Sequence, residues 1–296
     1  MKLNLEKIKQ KKSIQELLEF SIINIDKPSG PTSFTVSQFV KKTLDLKKTS
    51  HLGTLDPMVT GVLPVALNRA CRLNEYLMHR DKTYIGIMRL HEKVSEEILK
   101  SEMKKFIGKI TQLPPKRSAV KRAEREREVK KFEIIEISEN KKDVLFLAEV
   151  QAGTYIRTLC HNLGESSKIN GAHMIELRRI KAGLFDEENK KYPSVNLYDF
   201  EKAVKEYKKG NEKKLREILI PGEIITELLQ VIQVRKDVVK KLLSGSPIFK
   251  SFVNEKISNK IKKNEKVGAF VEDKFIGIYD YINSKDLIAR PEFVLN

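Results

Sequence analysis

His51-Leu-Gly-Thr-Leu-Asp-Pro-Met-Val-Thr-Gly61 runs directly into Val62-Leu-Pro-Val-Ala-Leu67, and these two segments frame the reading of the whole chain. Gly53, Pro57, Gly61 and Asp56 give the first segment the composition of a loop. The second is a continuous apolar run, the pattern of a buried strand, with Pro64 limiting its pairing. Gly53 permits tight backbone geometry and Pro57 fixes the direction in which the chain leaves. The loop can therefore hold the carboxylate of Asp56 rigidly. Taken alone, an Asp-Pro is more often a turn residue bonded to nearby amides.

Working outward, Ser21–Ile25 reads as a strand ended by the turn-rich Asp26-Lys-Pro-Ser-Gly-Pro-Thr-Ser33, and Ser33 can cap a helix running to Leu44. Asn68–Leu77 reads as helical. Lys82–Leu90 alternates as a strand, with Thr83, Ile85 and Ile87 on one face and Tyr84 and Met88 on the other. Ser95–Ile107 is an amphipathic helix, Glu128–Ile137 and Asp143–Gln151 are strands, Thr154–Ser166 is helical, and Met174–Ala182 alternates again. Strands and helices mix without regular βαβ alternation. The expected class is α+β, with a mixed, largely antiparallel sheet flanked by helices. Lys202–Leu229 reads as a charged, mostly helical stretch interrupted at Pro221-Gly222. Val231–Val234, a short helix Lys236–Leu243, and strands at Lys266–Val271, Phe275–Tyr281 and Leu287–Leu295 then form a small β-rich unit. The expected division is a basic arm at 1–20, able to pack on the C-terminal domain, a first domain at 21–230 and a second at 231–296.

The chain has 296 residues, 40% of them hydrophobic, which is ample for a packed core and excludes wholesale disorder. No apolar run approaches the roughly 18 residues that cross a bilayer, and the lysine-rich start lacks an apolar leader region. Two cysteines, Cys71 and Cys160, make no disulfide framework, so a cytoplasmic location is expected. Lys plus Arg exceed Asp plus Glu by 57 to 40, a formal charge of +17. Such an excess attracts polyanions, whether RNA, DNA or an anionic membrane surface. It is spread over Met1–Lys12, Pro114–Lys131 and Val231–Asn296, a distribution that suits a long ligand better than a single phosphate.

Five ordered segments carry a family resemblance. They are the 51–67 stretch, Asp26–Ser33, Lys82-Thr-Tyr-Ile-Gly-Ile-Met-Arg-Leu-His91, Ala152-Gly-Thr-Tyr-Ile-Arg-Thr-Leu-Cys-His161 and Ala172-His-Met-Ile-Glu-Leu-Arg-Arg179. Together they resemble the TruB-like pseudouridine synthases, and within them the dyskerin-type archaeal and eukaryotic branch. The resemblance implies a pseudouridine-synthase catalytic domain followed by a PUA domain, a small RNA-binding β pseudo-barrel. It implies Asp56 as the catalytic carboxylate that acts on an extruded uridine, and Arg157 as its cationic partner. An opposite charge beside a carboxylate favours the ionised form.

Tyr84 would stack on the displaced base, its alternative being an ordinary cross-strand aromatic. Tyr155 and Leu177 would line the pocket, although a Leu on an alternating strand usually just packs. His51 would lie near the RNA backbone or base, or else be a structural loop histidine. Pro114–Lys131 resembles a family loop that closes over RNA, making Lys116, Arg117, Lys121 and Arg122 RNA-binding candidates; the alternative is a solvated charged hairpin. Thr111-Gln112-Leu113, just before it, departs from the family's aromatic-Gln-Arg run.

No His/Cys metal spacing and no nucleotide-binding glycine pattern is present, so neither metal nor cofactor is expected. The resemblance implies the catalytic subunit of an H/ACA guide-RNA-dependent complex acting on rRNA, and on tRNA as a further substrate. Its partners would be guide RNA, substrate RNA and the small protein subunits of that particle. A stand-alone synthase for the tRNA T-loop is one alternative. A non-catalytic RNA-binding scaffold is another, against which stand the intact Asp56, Tyr84 and Arg157.

Overall fold

The computed structural model describes residues 3–114, 123–253 and 261–296. The chain opens with helices α1 (Leu5–Lys11) and α2 (Ile14–Glu19), the second begun by a reciprocal capping box between Ser13 and Glu16. Strand β1 (Ser21–Lys27) leads to α3 (Ser33–Thr43), then β2 (Thr49–His51) and β3 (Thr60–Leu67). A 3₁₀ turn at Asn68–Leu73 precedes α4 (Asn74–Met78), β4 (Lys82–Leu90), α5 (Glu96–Lys104) and β5 (Gly108–Gln112). Next come β6 (Arg125–Ile137), β7 (Asp143–Val150), α6 (Ile156–Gly164), β8 (Ala172–Ala182), β9 (Phe185–Asp186) and β10 (Val195–Asn196). The remainder comprises α7 (Leu197–Lys208), α8 (Lys213–Ile218), β11 (Leu219–Pro221), β12 (Gln230–Gln233), α9 (Val239–Leu243), β13 (Ile248–Phe249), β14 (Lys266–Val271), β15 (Lys274–Ser284) and β16 (Leu287–Val294).

These elements form two compact units, one of Ile23–Val65 with Leu77–Ile218, the other of Met1–Ile22, Ala66–Tyr76 and Leu219–Asn296. The main sheet runs β10-β1-β3-β8-β4-β7-β6-β5. β1 with β10 and β3 with β8 are parallel, whereas β8, β4, β7, β6 and β5 pair antiparallel in turn. The mixed, largely antiparallel expectation therefore holds. β4 lies between β7 and β8, and its Lys82, Tyr84, Gly86, Met88 and Leu90 are buried in strict alternation. A helical period could not place those five on one face.

Two local expectations change. The helix after the Asp26–Ser33 turn is capped by Thr32, whose Oγ1 accepts from the Thr35 amide at 3.0 Å. Ser33 is the first helical residue, and its hydroxyl is committed to Leu55. The 202–229 stretch is mostly helical as expected, in α7, α8 and a 3₁₀ turn at Gly222–Glu227, but its break is broader than Pro221-Gly222. α7 stops before Gly210, which sits at φ +96°, and α8 gives way to fully buried Leu219 and Ile220 in β11. Two apolar residues followed by Pro221 satisfy a sheet edge and cannot prolong an exposed charged helix.

In the second unit the sheet order is β12-β14-β15-β16-β13, parallel only between β12 and β14. Ile232, Val234, Leu242, Val267, Ile276 and Ile288 fill its core. Phe275 stacks on Phe20 at 5.1 Å and touches Phe270 and Phe293 edge-on or tilted, at 5.2 and 6.0 Å. Lys12 pairs with buried Glu223 at 2.5 Å, and Lys11 with Asp273 at the same distance. Burial pushes the Glu223 carboxyl up, and Lys12 opposes that shift. Replacing Phe275 by Ala removes three ring contacts from a 1% exposed site. It should lower the unfolding free energy by about 3–5 kcal/mol, measured by urea denaturation; a loss well under 1 kcal/mol would mean the cluster is not a working core.

Candidate active site

The loop between β2 and β3 has no ladder of its own, so its carbonyls depend on donors from elsewhere. Buried Lys27, at the end of β1, donates to the carbonyls of Pro28, Pro57 and Val59, each at 2.8 Å. All three of its ammonium donors are thereby used. The Gly30 amide also reaches the Pro57 carbonyl, at 2.9 Å. Ser33 Oγ accepts from the Leu55 amide at 2.8 Å and donates to the Leu55 carbonyl at 3.0 Å. Asp56 is thus flanked on both sides by anchored backbone. Burial lowers the Lys27 pKa, with Asp56 acting in the opposite sense.

Beneath the loop lies a second cation. Arg179, on β8, is 1% exposed; its Nε donates to the Val62 carbonyl at 2.8 Å and its Nη2 to the Gly53 carbonyl at 3.0 Å. Tyr84 lies directly opposite it across the β4–β8 pairing; burial lowers the Arg179 pKa and Tyr84 opposes that shift. Gly53 and Gly61 both adopt positive φ, +102° and +99°. A Cβ on Gly61 would lie 2.2 Å from the Arg179 carbonyl, so the backbone approaches too closely for any side chain. Lys82, also buried, donates to the carbonyls of Met78 and Arg80. Burial, reinforced by Arg179, brings the Lys82 pKa down to about 7.

Against this scaffold Asp56 stays exposed and is paired with Arg157. The two side chains are 54% and 57% exposed, where an ion pair contributes about 0–1 kcal/mol. Such a pair adds little to stability and leaves the Asp56 carboxylate accessible. Arg157 stands in the first turn of α6, whose N-cap Tyr155 makes no side-chain cap bond. Buried Gln112 of β5 fixes Tyr155 instead: the Tyr155 amide donates to Gln112 Oε1 at 2.9 Å, and Gln112 Nε2 donates to the Tyr155 carbonyl at 3.1 Å. Thr111-Gln112-Leu113, where this chain departs from the family run, therefore has a structural duty at its centre.

Tyr84 and Leu177 are each 8% exposed and share the inner face of neighbouring strands, Leu177 lying opposite Gly86. Asp56, Arg157, the Tyr155 backbone, Tyr84 and Leu177 all belong to the first unit. His51 is half-buried; its Nε2 lies 3.0 Å from Thr54 Oγ1, and burial together with Arg179 lowers its pKa. It is tied to its own loop. Lys116, Arg117, Lys121 and Arg122 lie outside the described residues. Among the described residues no three His, Cys, Asp or Glu side chains converge as a metal site, and no helix is long and apolar enough to cross a membrane.

Lys27, Lys82 and Arg179 carry no role in the sequence reading, although each stands inside a quoted segment. Strand parity was the available signal. Lys82 has the parity of Tyr84, and Arg179 that of Leu177, so all four point inward.

Residues 41–156 match the N-terminal domain of the TruB family of pseudouridylate synthases, and 157–227 match the tRNA pseudouridylate synthase B C-terminal domain. A "Probable tRNA pseudouridine synthase B" of Methanopyrus kandleri is 44% identical over 238 residues, 80% of this chain and 68% of that protein. The chain belongs to the TruB family of pseudouridine synthases. Its fold also matches a chain in the crystal structure of a Cbf5-Nop10-Gar1 complex, with TM-score 0.85 and 36% identity over 97% of this chain and 88% of that one. A second match comes from an H/ACA ribonucleoprotein bound to a substrate RNA containing 2′-deoxyuridine, with TM-score 0.84 and 33% identity over 97% and 89%. The synthase fold expected from the five segments is thus present.

Lys82 gives the synthase a measurable pH signature. Its folded pKa lies below the ordinary 10.5, so between about 7 and 10.5 folding releases a proton and stability rises with pH. Below about 7 both folded and unfolded states are charged and the slope vanishes. Wild-type protein should therefore gain stability over Lys82→Met by up to about 1.4 kcal/mol per pH unit from pH 7 to 10, read from urea unfolding at stepped pH. A flat difference would mean that the ammonium is not desolvated.

Proposed function

We propose that this synthase is the catalytic subunit of an H/ACA guide-RNA-dependent complex that isomerises chosen uridines in rRNA, with tRNA as a further substrate. The supporting observation is the likeness over 97% of the chain to proteins solved inside a Cbf5-Nop10-Gar1 complex and an H/ACA ribonucleoprotein carrying substrate RNA. Guide RNA, substrate RNA and small subunits akin to Nop10 and Gar1 are the partners that this reading requires. A stand-alone tRNA synthase is the second reading, favoured by the name of the Methanopyrus relative.

In either case the reaction breaks the N1–C1′ bond of uridine, turns the base and joins C5 to C1′. The C5 proton leaves, N1 gains one, and composition is unchanged. The target base has to leave its stack, at a cost of about a few kcal/mol, which aromatic stacking on Tyr84 offsets by about 1–3 kcal/mol. Asp56 supplies the carboxylate that acts on the extruded nucleotide, and Arg157 pairs with it and orients it. Tyr155 and Leu177 close the sides of the pocket.

Tritium release from C5-labelled uridine separates the readings. Release from bare tRNA transcript supports the stand-alone enzyme; release only with guide RNA and the two small subunits supports the particle. Tight RNA binding without release under either condition would leave a scaffold. Asp56→Asn should reduce release by about 10³-fold or more while RNA affinity, dominated by phosphate contacts, stays within about threefold. An active variant would remove Asp56 from the chemistry.

A further inference from the structure

We propose that Arg179 is the positioning residue of this active site, a single buried guanidinium that locks both flanks of the Asp56 loop into one register beside Tyr84. The proposal rests on the synthase reading above and deepens it.

The two carbonyls bound by Arg179 belong to Gly53 and Val62, one three residues before Asp56 and the other six after. Tyr84 is its neighbour from the adjacent strand, directly opposite it. Two acceptors, one in the loop and one in β3, meet one planar fork. A lysine ammonium offers a point charge on a flexible stem and cannot reproduce that span. Packing alone would not call for a cation here, because the site is almost completely closed to water and desolvating an Arg is expensive. The strand carrying Arg179 is pressed against the exit of the loop: a Cβ on Gly61 would lie 2.2 Å from the Arg179 carbonyl. Arg157 differs, being exposed and bound to the Asp56 carboxylate itself. Arg179 is closed to solvent and acts through the loop backbone.

The test compares wild type, Asp56→Asn and Arg179→Lys in tritium release, using the RNA and partners that support wild-type turnover. For Arg179→Lys, kcat should fall about 10- to 100-fold with KM for RNA within about twofold, the pattern of misplaced catalytic groups and not of lost binding. Adding Tyr84→Phe should cost less in the Arg179→Lys background than in wild type, because the two residues face each other across one strand pair. A folded Arg179→Lys protein with wild-type kcat, or strictly additive effects, would overturn the proposal while an inactive Asp56→Asn left the synthase reading standing. A second measurement needs neither turnover nor a folded Arg179 variant. The side-chain NMR signals of Arg179 should shift between wild type and Tyr84→Phe, and unchanged signals would break the proposed link.

Discussion

A loop that must present a carboxylate to solvent cannot also bury it, so its rigidity has to come from underneath. Here that support is a lysine ammonium sealed inside the fold, with all three of its protons given to backbone carbonyls around Asp56. Hydrogen bonds to a charged donor contribute about 1.5–3 kcal/mol each, whereas the visible Asp56–Arg157 pair contributes about 1 kcal/mol at most. Most of what holds Asp56 is therefore hidden below it.

The same division of labour governs the helix that carries Arg157. An N-cap normally uses a short polar side chain, but position 155 is a tyrosine, and the backbone there is held from across the sheet by Gln112. The start of α6 is thus anchored through the Tyr155 backbone and not through its side chain.

Much of this was legible beforehand. Alternation in Lys82–Leu90 put Tyr84 and Met88 on one face, the 51–67 stretch marked the loop and strand, and the mixing of elements pointed to an α+β fold. Lys27, Lys82 and Arg179 were given no role: Lys and Arg are almost never buried, and parity was not applied to cations. Ser33 was taken as a cap because the chain alone does not reveal that Leu55 folds back to claim its hydroxyl. The helical reading of 202–229 put its break at Pro221-Gly222 and did not extend it to Leu219-Ile220, two apolar residues taken into β11.

Gly86 shows how finely the wall of the site is adjusted. A methyl group there would meet Phe146 at 2.6 Å, Leu177 Cδ1 at 2.8 Å and the Glu176 carbonyl at 2.9 Å. Leu177 occupies the space that a side chain on β4 would otherwise take. The packing of Leu177 thus depends on a missing carbon on the neighbouring strand. Any side chain at position 86 would press on Phe146, Leu177 and the β8 backbone at once, so the β4–β8 pairing itself would have to shift.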